Sequence, residues 1–146
     1  MMRKTFKKIL SINGEPKTIA RGFALGSFIG MLPISGFQML VSLAIAALIR
    51  VNKKAACIGV FNTNVATGAF VFAFNYWLGK SILNLSPDFT MPEKIGFSFI
   101  FTVLESGKDV FLCMLTGGVI TGLIALFSVY YITMYYFKFK QYETDK

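Results

Sequence analysis

Histidine is absent from this sequence, acidic residues number only 7 and cysteines only 2. With no imidazole, no Cys-x-x-Cys pair and no clustered carboxylates, neither a zinc site nor a haem site is expected, nor any other cofactor. Catalytic signatures are missing too: there is no Gly-x-Ser-x-Gly elbow, no Walker loop and no Gly-x-Gly-x-x-Gly turn. Enzymatic activity is therefore not expected of this chain alone. Charge is scarce as well, at 15% of residues, and it is absent altogether from Gly22 to Ile49, from Ala55 to Gly79 and from Val110 to Phe137. Each of these runs is longer than the roughly 20 residues a bilayer-spanning helix needs.

What fills the chain instead is 55% hydrophobic and 16% aromatic residues over a length of 146, with a mean hydropathy of +0.61. That composition is expected of a single all-α integral membrane domain, not a soluble one. Cys57 and Cys113 both lie inside apolar runs, where a thiol behaves as a small hydrophobe. The basic start "MMRKTFKK" is followed by the mixed "ILSINGEPK", which lacks the compact apolar core of a secretory signal. The net charge of +8 would raise nucleic-acid binding for a soluble chain. Here Arg3, Lys4, Lys7, Lys8, Lys17 and Arg21 precede the first apolar run, the pattern of a cytoplasmic flank that rests against anionic lipid, and no nucleic-acid partner is expected.

The first apolar run contains its own interruption, "LPISGFQ". As one straight helix, residues 22 to 49 would be about 42 Å long against about 30 Å of hydrocarbon. Its ends would then lie on opposite sides, yet Arg50, Lys53 and Lys54 make the second flank as basic as the first. A re-entrant helical hairpin resolves the conflict, with half-helices of about 16 and 20 Å. Pro33 disfavours helix at the residue before it, and Gly36 permits the reversal. Gly22, Gly26 and Gly30 form a small-xxx-small stripe on the entering half, a face suited to close helix packing and to contact with a further copy of the chain.

The remaining topology follows from charge. Ala55 to Gly79 is expected to cross completely and to lead to the near-neutral outer loop "KSILNLSPDFTMPEK"; Val110 to Phe137 returns to Lys138 and Lys140, with Tyr130, Tyr131, Tyr135 and Tyr136 as interfacial anchors. The arm 1–18 and the tail 138–146 are then cytoplasmic, flanking a membrane domain over 19–137 in a multi-pass inner-membrane protein. Residues 95 to 115 echo the first hairpin, "LESGKDVFL" beside "LPISGFQML". If the echo is structural, the halves form an inverted repeat of hairpin and crossing helix, as transporters often do. The alternative is an interfacial helix over 95–104 leading into an ordinary span.

Several stretches together carry a family resemblance: Pro33, Gly36 and Gln38; Arg50 and Asn52; Asn64 and Thr67; Tyr76 and Gly79. They resemble the Pro-x-x-Gly-x-Gln, Arg-x-Asn, Asn-Pro-x-Thr and Tyr-x-x-Gly pattern of the small prokaryotic membrane proteins grouped as domain of unknown function two thousand and sixty-two. The resemblance spans roughly residues 16 to 137. One departure is Val65 in place of the family's proline, so a helix break there would rest on Asn and Thr side chains. Related domains are joined to glycosyltransferase-like modules, which implies the handling of lipid-linked sugars or polyprenyl phosphates.

Polar residues within membrane runs are costly unless partnered and are functional candidates for that reason. Pro33, Ser35, Gly36 and Gln38 at the hairpin tip form one set; Gln38 either grips a phosphate oxygen or satisfies backbone groups freed by the break. Asn62, Asn64, Thr67 and Asn75, with Thr63 in the same run, form a second set, lining a polar cavity or bridging helices. Lys108 would neutralise an anionic headgroup, with Glu105 and Asp109 as coupling-ion candidates, unless all three are solvated outside. The expected function is transport or flipping of an anionic amphipath such as a lipid-linked phosphate, with membrane lipids and further copies of the chain as partners. The alternative is a non-transporting scaffold that docks a glycosyltransferase or another envelope enzyme.

Overall fold

The computed structural model describes residues 14–34, 36–61, 63, 65–85 and 97–144; the side chains of 65, 66, 97–106 and 140–144 fall outside the description. Among the described residues the chain is all helical, in five segments: α1 (Pro16–Gly30), α2 (Gln38–Leu48), α3 (Lys53–Val60), α4 (Val65–Leu83) and α5 (Phe97–Thr144).

Helix α1 is the central element and packs against α2, α3 and α5. Pro16 opens it, where a missing N–H costs nothing and a fixed φ is already helical. Its buried positions, among them Ile19, Ala20, Phe23, Ala24, Ser27 and Ile29, lie around most of its circumference. Pro33 stops it, and Gly36 takes a φ of +90 in the connection to α2. The reversal closes at its far end. Arg50, at a φ of 57, lets the Val51 N–H reach the Ala46 carbonyl at 3.0 Å, a Schellman ending in which Val51 packs back on Ala46. The Asn52 N–H then donates to the Thr18 carbonyl at 3.1 Å. Both ends of the α1–α2 hairpin thus lie side by side, next to Lys17, Arg21, Lys53 and Lys54.

The Asn52 side chain caps α3 by accepting from the Ala55 N–H at 3.0 Å. From there α3 runs parallel to α1 along the glycine stripe. A Cβ on Gly22 would stand 2.5 Å from the Asn52 carbonyl oxygen, one on Gly26 would collide with the Ala56 carbonyl, and one on Gly30 would stand 2.9 Å from the Val60 carbonyl. Gly59 returns the contact, 3.1 Å from the Gly26 Cα by the same measure. The stripe is therefore an internal seam filled by α3, which corrects its assignment as a face for a further copy.

Two further expectations are corrected. Residues 55 to 79 are not one crossing helix: α3 ends at Val60 and α4 begins at Val65, the break falling in the Asn/Thr run where the family's proline is missing. Residues 97 to 144 form one continuous helix, so the "LESGKDVFL" segment holds no second hairpin and the inverted repeat is absent. The reason is local. Ser106 and Gly107 have no proline beside them, and a lone glycine weakens a helix by about 1 kcal/mol without ending it. At 48 residues α5 is about 72 Å long. It runs antiparallel to α4, with Gly117 against the Asn75 backbone and Gly79 against Cys113, and antiparallel to α1, with Gly118 against Met31 and Gly122 against Phe28. Farther along, Val129 and Phe137 cover the cluster of Ile19, Phe23 and Ala55.

Among the described residues, one helical stretch, Gly107–Phe139, is long and apolar enough to cross a membrane; α2 is a shorter apolar helix.

Two glycine substitutions should separate these roles. Gly107, with open space around it, should gain about 1 kcal/mol of stability as Gly107→Ala, whereas a hairpin tip would lose it. Gly26→Ala should cost about 1–3 kcal/mol by forcing α1 and α3 apart. Equilibrium unfolding of the purified full chain in detergent reads both.

Candidate functional site at the helix break

A helix leaves its last carbonyls without intrahelical partners, and α1 ends in the interior of the molecule. The sequence supplies donors from three other places. Thr63, in the break between α3 and α4, donates its hydroxyl to the Gly30 carbonyl at 2.6 Å. Gln38, at the first position of α2, donates its side-chain amide to the Leu32 carbonyl at 3.1 Å and more weakly to Gly30 at 3.4 Å. Asn75, in the middle of α4, donates its amide to the Met31 carbonyl at 2.8 Å. Asn75 is itself held by Thr121 of α5, whose hydroxyl lies 2.8 Å from Asn75 Oδ1. A hydroxyl carries one proton, so Thr121 chooses between Asn75 and the longer contacts to the Gly117 and Gly118 carbonyls at 3.0 and 3.3 Å.

This arrangement brings some of the sequence candidates together and separates others. Pro33 is half-buried and Gly36 exposed in the connection, beside Gln38. Asn75 is 0% exposed with both ends of its amide bonded inside the protein, so it bridges helices and does not line a cavity. Thr67 lies exposed in the first turn of α4 and has a bonding partner. Ser35, Asn62 and Asn64 lie outside the described residues. Lys108 is exposed and Asp109 half-buried on α5, nine residues or about 14 Å before the Gly117 level of the break. They do not join the break. Glu105 lies in the same helix, its side chain outside the description.

The chain belongs to the DUF2062 family. The family, described as uncharacterized proteins conserved in bacteria, matches residues 1–145. No curated protein and no solved structure matches the chain. In this DUF2062 member Gln38 thus spends its donors on backbone, which leaves the amide oxygen as the part of that side chain with capacity to accept.

Thr121 is the bridging residue that sequence reading passed over, whereas Thr63 already stood out in the polar run with Asn62 and Asn64. A fully buried Asn requires an acceptor and a donor, and "TGGVITG" in the facing apolar helix offered the hydroxyl. Among the described residues no group of three His, Cys, Asp or Glu side chains could hold a metal ion. A second polar feature is the end where the hairpin closes: Lys17, Arg21, Arg50, Lys53, Lys54 and Lys138 are all exposed there. Among the described side chains at that end, Glu15 is the one acidic group.

Asn75→Ala and Thr121→Val should each destabilise the fold by about 1–3 kcal/mol, because each leaves a buried group unpaired. The double variant should lose markedly less than the sum. Ser42 offers the opposite case: its hydroxyl is buried on α2 with no partner among the described residues. Ser42→Ala should be neutral or stabilising in the same unfolding measurement, since no hydrogen bond is lost.

Proposed function

We propose that this chain is a multi-pass membrane protein that accommodates an anionic amphipath, such as a lipid-linked phosphate, and carries its headgroup inward from a cationic face. The observation that carries this reading is a helical reversal with both ends on one basic face and apolar surface beyond it. Leu48 is 81% exposed, Phe70 83% and Ile132 68%, on α2, α4 and α5 respectively. Side chains of this kind spread over a surface support a hydrocarbon surround.

In this reading α1 and α2 form a re-entrant hairpin. Irregular backbone at membrane depth is tolerated where the protein satisfies it, and the bonds from Gln38, Thr63 and Asn75 do so at the end of α1. The basic face is the cytoplasmic side, by the excess of Lys and Arg on inner loops, and both termini lie there. Phosphate is captured at the rim by Arg50, Lys53 and Lys54, and α5 spans the bilayer with a steep tilt. The break residues hold the hairpin in shape, while Ser35, Asn62 and Asn64 are the candidates for contact with the passing headgroup.

Two measurements test the reading. Single cysteines at positions 17, 50 and 54 in intact inverted and right-side-out vesicles should all label from the same side; labelling of 50 and 54 from the side opposite to 17 would end the hairpin proposal. Proteoliposomes should move a fluorescent isoprenoid phosphate or an anionic phospholipid, and a triple exchange Arg50→Gln, Lys53→Gln, Lys54→Gln should slow the movement about a hundred-fold, at about 1 kcal/mol per cation. Protein that binds and moves neither probe excludes the transport reading and leaves a scaffold role.

A further inference from the structure

Where α1 begins and α5 ends, Pro16, Tyr131, Met134, Tyr135, Phe137 and Lys138 line an open groove of about 460 Å3. Tyr131, Met134, Tyr135 and Lys138 follow the i, i+3, i+4, i+7 spacing of one helix face, so the groove runs lengthwise along α5. Its walls are apolar and aromatic. Polar groups are few: the tyrosine hydroxyls and the Lys138 ammonium, with Glu15 and Lys17 both exposed on either side of Pro16. Among the described residues no carboxylate lines it.

Tyrosine offers an apolar body and a polar end, the combination found where hydrocarbon meets water. Lysine lays its methylene stem along apolar surface and presents a point charge that binds phosphate. A hydrocarbon slot ending in a cation, on the end of the molecule that also carries Arg21, Arg50, Lys53 and Lys54, matches one kind of ligand. We infer that the groove is a binding site for an anionic phospholipid, its acyl chain against Tyr131, Met134 and Tyr135 and its phosphate at Lys138. This inference rests on the membrane reading proposed above and adds a defined headgroup site to it.

Charge complementarity distinguishes this occupant from two others. The chain's own residues 1–13 carry Arg3, Lys4, Lys7 and Lys8, and a second copy would present the same basic end. Either would set like charges against Lys138, whereas a phosphate diester neutralises it.

The test is photo-crosslinking from within the groove. The full chain carries a photoreactive amino acid at position 134, or at 135 as a second placement should the first disturb folding. It is reconstituted in nanodiscs of phosphatidylcholine with a minor fraction of phosphatidylglycerol. Intact-mass analysis of the adducts should show phosphatidylglycerol in excess of its mole fraction by about five-fold, the preference expected of one lysine at a membrane surface. Lys138→Gln should bring the adducts down to the mole fraction, and Lys108→Gln at the other end of α5 should leave the excess unchanged. Adducts at the mole fraction in the unsubstituted chain, an excess that survives Lys138→Gln, or crosslinks to residues 1–13 or to a second copy would each overturn the assignment. Transport in proteoliposomes separates the two proposals: movement of the anionic probe without enrichment at position 134 removes the groove and leaves the transport reading standing. Enrichment without movement of the probe does the reverse.

Discussion

The carbonyl groups at the end of α1 are the point on which the surrounding segments converge. That end lies inside the molecule, where an unpaired carbonyl costs about 1–3 kcal/mol. Gln38 belongs to α2, Thr63 to the break that separates α3 from α4, and Asn75 to α4, itself braced by Thr121 of α5. One helix terminus therefore draws a donor from each side, directly or through one intermediary. A chain that interrupts an apolar helix must answer for the freed backbone groups, and this one answers with side chains from its own later segments.

Short side chains can only reach if backbones come close. Thr63 contacts the Gly30 carbonyl at 2.6 Å because α3 has run the length of the glycine stripe with nothing larger than hydrogen between the two backbones. The same logic holds between α4 and α5, where Gly79 and Gly117 let the helices meet and leave Asn75 within range of both Met31 and Thr121. Glycine packing and hydrogen bonding are thus one device. Van der Waals contact along the seams sets the distance that the polar groups require.

The reversal was legible in the sequence, since Pro33 and Gly36 mark it and basic residues stand at both of its ends. The glycine stripe announced a packing face but not its occupant, because spacing along one helix says nothing of which other segment arrives; α3 does. The break after Val60 was legible only as a conditional one, because "FNTN" contains no proline, and Asn and Thr are also ordinary interhelical bridges. The supposed second tip failed for the complementary reason: Ser106 and Gly107 resemble a turn in composition, yet without a proline the helix continues through them. The roles of Gln38 and Asn75 stayed open at that level, because a polar side chain in an apolar run calls for a partner without saying whether it is a ligand or a carbonyl.

Arg50 carries a consequence for protein engineering. Its backbone occupies the left-handed region, which glycine enters freely and which costs other residues about 1–2 kcal/mol. Stability and surface charge are therefore opposed at this position. A screen for thermostable variants would favour glycine there and quietly strip a cation from the basic face. Stability-guided selection would in this way yield a better-behaved molecule whose basic face is one charge poorer than the native one.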